Sequence, residues 1–151
     1  MTVRFGTPQD LPELTDLVRT AHIESRFAWM NFNARSTWRF LEGRMAQKGA
    51  CVLVALREEE LIGGLVADTQ THWFSGTKYI LLRALYIRPE FRGGVAAMKM
   101  LHGLRQWAAN THAAELRIEE TFLEPSASLE KILKRLGYQS TGKIWSTWVN
   151  T

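Results

Sequence analysis

From Leu11 onward the apolar residues of this chain fall first at helical spacing, then in unbroken runs, then at helical spacing again. Thr2–Phe5 is short and extended in character, and Thr7-Pro8-Gln9-Asp10 then offers a hydroxyl N-cap, a proline at the first helical position and an early acid. Leu11, Leu14, Leu17, Val18 and Ala21 make one stripe, predicting a helix to about His22, with a polar and aromatic loop from Glu24 to Asn33. Trp38, Leu41 and Met45 predict a second helix that stops near Lys48-Gly49. Cys51–Leu56 is a continuous apolar run, read as a strand buried on both faces. Leu61–Asp68 returns as its hairpin partner with Gly63-Gly64 inside it, and Tyr79–Ile87 is a third long strand ending at Arg88-Pro89. Ala97, Leu101, Leu104 and Ala108 predict a helix, and Leu116–Glu120 a short strand. A last helix opens at Pro125–Ser128 with Leu129, Ile132, Leu133 and Leu136 buried, and Gly137 caps it. Tyr138–Val149 reads as one or two closing strands. The order suits a single α/β, or layered α+β, domain over residues 1–151.

Composition narrows the class. At 151 residues, 46% hydrophobic and 23% charged, the chain can bury one core without staples, and disorder is excluded. One cysteine, Cys51, makes neither an internal disulfide nor a thiolate zinc cluster and reads as an inert core thiol. His22, His102 and His112 have no metal-ligand spacing, so no metal is expected. No apolar run reaches the roughly 18 residues of a membrane span, and the first residues do not resemble a cleaved leader, so a soluble cytoplasmic protein is expected. The net charge of +4 favours an anionic partner. Lys78 to Ala114 holds six basic residues and one acid, whereas Glu115 to Glu130 holds five acids and one arginine. Such blocks suit a solvated face as readily as a binding surface.

The segment Leu85-Tyr86-Ile87-Arg88-Pro89-Glu90-Phe91-Arg92-Gly93-Gly94-Val95-Ala96-Ala97 carries the most chemistry. Glycines between a strand and a helix let backbone N–H groups approach an anion, and the helix adds unpaired N–H groups and a positive dipole end. Arg92 adds a charged donor suited to a diphosphate, and Ala96 and Ala97 keep the first turn slim. Neither the lysine of a P-loop nor the G-x-G-x-x-G dinucleotide spacing is present.

With these residues the chain resembles the GNAT N-acetyltransferase superfamily over almost its whole length. Val3-Arg4-Phe5 with Thr7–Pro12 resembles that family's first strand and helix, and the hairpin Val52–Ala67 its second and third strands. Ile87–Gly94 with Val95-Ala96-Ala97 resembles its acyl-CoA pyrophosphate loop, and Leu136-Gly137-Tyr138 its late helix end. The Arg-Gly-Gly form with Trp107-Ala108 is similar to versions common in bacterial and phage chains. The resemblance implies a mixed, mostly antiparallel sheet of six to seven strands flanked by about four helices. It also implies transfer of acetyl from acetyl-CoA to an amine of a small molecule or protein. The implied cofactor-binding residues are Leu85, Tyr86, Ile87, Arg92, Gly93, Gly94, Val95, Ala96, Ala97 and Ser126, the last standing where the family often has asparagine. A homodimer is compatible with it.

Beyond Ser126, this chain departs from the family at three places. Val95 stands at the motif's first glycine, Leu133 where a tyrosine commonly protonates the departing thiolate, and Arg83–Tyr86 offers no strand glutamate as base. Candidate bases are Glu119 and Glu120 at the end of the fifth strand, Asp68 at the end of the third, and His72 just after it. Phe27, Trp29, Phe32, Trp73 and Phe74 are candidates to line an aromatic acceptor cleft. Two other readings stay open: a GNAT-like module that binds acyl-CoA or a protein without turnover, and, more remotely, a small basic nucleic-acid binder.

Overall fold

In a computed structural model, which describes residues 1–119 and 127–149, a central sheet is covered by helices on both faces. The elements are β1 (Thr2–Phe5), a 3₁₀ turn at Pro8–Asp10, α1 (Leu11–Glu24), α2 (Ala34–Ala46), β2 (Ala50–Arg57), β3 (Glu60–Thr71) and β4 (Lys78–Ile87). A second 3₁₀ turn at Pro89–Phe91 leads to α3 (Ala96–Ala109), β5 (Glu115–Ile118) and α4 (Ala127–Arg135). Strand order follows chain order from β1 to β5. β1 to β4 are antiparallel neighbours, and β5 joins β4 in parallel.

The long apolar strands are buried on both faces because each face receives its own helices. On one face Cys51, Leu53, Leu65, Leu82, Leu85 and Ile87 pack with Met100, Leu101 and Leu104 of α3 and Leu129 of α4. On the other Val52, Val54, Val66 and Tyr86 pack with Leu11, Leu14 and Leu17 of α1 and Leu41 of α2. Gly63 and Gly64 set how closely these layers approach. A Cβ on Gly63 would meet the Tyr86 carbonyl at 2.9 Å, and one on Gly64 would meet Leu14 Cδ2 at 2.9 Å.

The structure changes three expectations. Helix α1 runs to Glu24, nearly a turn beyond the end of its apolar stripe at Ala21. Trp38 is half-exposed, leaving Leu41 as the buried residue of α2. Residues 139–148 form no strand, so among the described residues the sheet has five strands rather than six to seven. A strand needs a ladder partner. This segment instead docks through side chains: Trp148 stands edge-on to Trp29 at 4.9 Å and to Phe27 at 6.0 Å, while Arg26 donates to the Ser146 hydroxyl at 3.0 Å. The cap on α4 is as expected, with Gly137 at φ +90° and the Tyr138 N–H donating to the Leu133 carbonyl at 2.9 Å.

Candidate functional site

The glycine turn lies where β4 ends and α3 begins. Gly93 holds φ +83°, a conformation that side chains disfavour, and space is open where its Cβ would stand. Val95 is the N-cap of α3 at φ −91°, ψ −2°, an ordinary backbone state that needs no glycine, and its side chain is exposed. Ala96 and Ala97 are buried and supply slim first-turn N–H groups. A cleft of about 280 Å³ runs along this turn, lined by Ile87, Phe91, Gly93, Gly94, Val95, Ala97 and Met98 and, from α4, by Leu129, Lys131, Ile132 and Arg135. Helix end, glycines and two cations give one groove whose chemistry suits an anion.

A second feature adjoins it. Pairing of β4 with β5 stops at Leu82 opposite Ile118, while pairing with β3 continues to Ile87 opposite Gly63. The break coincides with an extra residue in β4, because Val66 pairs Ala84 and Ala67 pairs Leu82, leaving Arg83 bulged. The Arg88 N–H donates to the Ile62 carbonyl at 2.8 Å. Strand alternation therefore turns the N–H and C=O of Tyr86 toward β3, and those of Leu85 and Ile87 toward the edge that β5 has left. Among the described residues this is a backbone edge that no strand pairs, its Ile87 carbonyl held by a side chain, beside a groove suited to an anion.

Arg92 closes the second 3₁₀ turn and leads into the glycines. Its guanidinium turns back onto the sheet: Nε donates to the Ile87 carbonyl at 2.8 Å, a terminal nitrogen donates to Glu24 Oε2 at 2.8 Å, and the group lies 5.0 Å over the Tyr86 ring. The Tyr86 hydroxyl donates to Glu24 Oε1 at 2.8 Å. The bond from Arg92 holds Glu24 below the usual carboxylate range against a smaller opposing effect of burial, and Tyr86 adds to it. Burial, reinforced by Glu24, pushes Tyr86 up to about 12. Glu24 was not among the residues expected from sequence; its signal is an acid in a helix's last turn, where the dipole disfavours negative charge unless a cation answers it.

Asp68 is buried and fully engaged by Arg44 Nε at 3.0 Å, Arg83 Nε at 3.0 Å and Gln70 Nε2 at 2.8 Å. Burial alone would raise its pKa, but these bonds together hold it below the usual range. Such a carboxylate ties α2 to the sheet and is a poor base. His72 stacks on Tyr79 at 4.4 Å at the β3–β4 hairpin, where Trp73 and Phe74 are exposed. That hairpin and the glycine turn are at opposite ends of β4, about 30 Å apart at strand rise. The aromatic set is therefore split, with Phe27 and Trp29 near the end of α1 and Trp73 and Phe74 remote. Phe32 stands 5.7 Å from His22. Glu119 follows β5 and is half-buried. Glu120 and Ser126 lie outside the described residues. Leu133 packs against the core, and burial pushes the Cys51 thiol up to about 12. The described residues form no cluster of histidine, cysteine and acids fit for a metal, and no helix among them is long and apolar enough to cross a membrane.

Comparison with known proteins gives the family and the fold. The profile described as the acetyltransferase (GNAT) family matches residues 12–138. A probable acetyltransferase of known structure is 22% identical, with TM-score 0.77 over 100% of this chain and 99% of the other. AAC(6')-Iy, solved with the bisubstrate analogue CoA-S-monomethyl-acetylneamine, is 15% identical with TM-score 0.77, covering 99% of this chain and 98% of its own. The aminoglycoside 6'-N-acetyltransferase AAC(6')-IG from Acinetobacter haemolyticus is 18% identical with TM-score 0.75, covering 100% and 99%. At these identities the likeness is one of fold. No curated protein sequence matches the chain.

Proposed function

The chain belongs to the acetyltransferase (GNAT) family, and on that premise we propose that it moves an acetyl group from acetyl-CoA to an amine by direct attack in a ternary complex. The observation that carries this reading is the meeting of two features at one point: the unpaired edge of β4 and the groove formed by Gly93, Gly94 and Val95 with the N-terminus of α3. A diphosphate fits the groove, where backbone N–H groups and Lys131 and Arg135 oppose its charge. An extended amide-bearing arm fits the edge as an added strand. Acetyl-CoA joins those two chemistries in one molecule.

Leu85 and Ile87 direct N–H groups along that edge, and one of them placed against the thioester oxygen stabilises the charge that develops there. Positioning the amine against the carbonyl carbon supplies much of the remaining acceleration. The attack forms the C–N bond and breaks the C–S bond. Thiols ionise near pKa 8.5, so the thiolate leaves with little acid assistance, and a leucine at position 133 is tolerable. That same Leu133, packed against the core, favours the second reading of a binding module without turnover.

A thermal melt with acetyl-CoA tests the binding half. At 100-fold over its dissociation constant a ligand adds about 2.7 kcal/mol, raising the midpoint by roughly 5 to 10 °C in a domain of this size. No shift at millimolar acetyl-CoA overturns the proposal. Release of free thiol across a panel of primary amines tests transfer, and binding without release from any amine selects the second reading.

A further inference from the structure

Glu24 ends α1 with its carboxylate about one-third exposed, facing the unpaired edge of β4 through a single intervening guanidinium. Its two oxygens are divided between Tyr86 of β4 and Arg92 of the glycine turn. Arg92 in turn occupies, through Nε, the Ile87 carbonyl, a backbone acceptor that an extended ligand added to this edge needs for its own N–H. One side chain thus covers an acceptor on the donor's path and an acid beside it.

We propose that Glu24 binds the acceptor's ammonium and takes its proton, and that Arg92 masks it until an acyl donor lies along β4. The inference rests on the acetyl-transfer reading above. When a donor amide N–H takes the Ile87 carbonyl, Arg92 loses that anchor, and the diphosphate in the groove offers its guanidinium a stronger partner. Glu24 then exchanges one cation for another, guanidinium for ammonium. The ammonium gives one proton to the Glu24 carboxylate, and the freed nitrogen pair forms the bond to the acyl carbon. The C–S bond breaks with its electron pair on sulfur. The second N–H proton passes through solvent to the thiolate, and Glu24 returns its proton to bulk water. Tyr86 acts as a positioning residue, because its hydroxyl fixes the other carboxylate oxygen. The neighbouring charged groups of the α1 end face elsewhere: His22 meets Phe32, and Arg26 lies over Phe27 and Trp148.

The test combines Glu24→Gln, Glu24→Asp and Tyr86→Phe with calorimetric acetyl-CoA binding and transfer kinetics. Glu24→Gln is expected to bind acetyl-CoA within twofold of wild type and to lose about 100-fold in kcat/KM, together with the acidic limb of its pH profile. Glu24→Asp should keep that limb with a smaller loss. Tyr86→Phe should shift the limb and lose about tenfold. On the wild-type chain, ¹³C titration of the Glu24 carboxyl should move to higher pH when CoA is added, as Arg92 leaves. If acetyl-CoA fails to bind, the acetyl-transfer reading and this inference fall together. If it binds and the Glu24 titration is unmoved, or Glu24→Gln keeps kcat/KM within threefold with its pH limb intact, this inference alone falls.

Discussion

Asp68 and Glu24 are both acids held by arginines, and their surroundings give them opposite uses. The Asp68 side chain is 3% exposed and meets two guanidiniums and an amide, so it has no room for a substrate and a large role in holding α2 against β3 and β4. Asp68→Asn should destabilise the fold by about 2 to 3 kcal/mol, less than a fully buried pair because Arg44 and Arg83 reach solvent, and denaturant unfolding measures it. The sign of the pH effect follows from the same bonds. The native carboxyl sits below its ordinary value of 3.8, so the folded chain binds fewer protons than the unfolded one. Its stabilisation is therefore present above about pH 4 and lost as pH falls through the lower native value. In Asp68→Asn that portion of the acid destabilisation should vanish. Gly93 makes a third case: at φ +83° an alanine costs about 1 kcal/mol of stability and places a methyl group at the anion turn. Gly93→Ala should weaken acetyl-CoA binding more than it lowers the melting midpoint.

At the scale of elements, α4 and β4 meet across the groove although some forty residues separate them, and this explains what sequence reading reached and what it missed. The strand, glycine turn and helix were legible because their chemistry is contiguous: Ile87 through Ala97 spells a turn with an anion-binding helix end. Lys131 and Arg135 were not, since only folding carries them to the far wall of that groove. Glu24 was missed because the apolar stripe of α1 ends at Ala21, while the backbone continues helical through a largely exposed final turn of His22, Ile23 and Glu24. Arg92 adjoins the anion turn in sequence, and only the fold shows that its guanidinium also reaches the Ile87 carbonyl and Glu24. Tyr138–Val149 reads as closing strands in sequence but forms none, because a strand belongs to a pair and a segment's own residues do not show its partner. Reversing charge on the groove's far wall follows from this layout. Lys131→Glu and Arg135→Glu should each raise the dissociation constant for acetyl-CoA about tenfold and flatten its salt dependence, as titrations from low to high salt report. Both side chains are exposed, so the melting midpoint of the free protein should barely move.

The whole molecule is organised as two faces that meet at the end of β4, one given to the anion groove and the other closed by the chain's last described segment. The basic residues from Lys78 to Arg105 are dispersed over separate partners, Arg83 and Arg92 on acids and Arg88, Lys99 and Arg105 on backbone carbonyls. That dispersal weighs against the nucleic-acid reading, which needs a shared face of free cations. On the opposite face, the segment carrying Ser146 and Trp148 crosses to Arg26, Phe27 and Trp29, two to five residues beyond Glu24. Among the described residues it joins the core through neither sheet hydrogen bonds nor buried aliphatic residues; Ile144, Trp145 and Val149 are exposed. Its energetic share is accordingly small, and the proposal for Glu24 puts it on the acceptor side. Trp148→Ala should therefore lower the melting midpoint by only about 3 °C, in keeping with roughly 1 kcal/mol for edge-on aromatic contacts in a domain of this size. It should leave acetyl-CoA affinity unchanged, since the groove lies across the sheet, and raise KM for the amine severalfold. Equal losses in both substrates would place the segment in the general stability of the fold instead, and an unchanged amine KM would remove Trp29 and Trp148 from the acceptor side altogether.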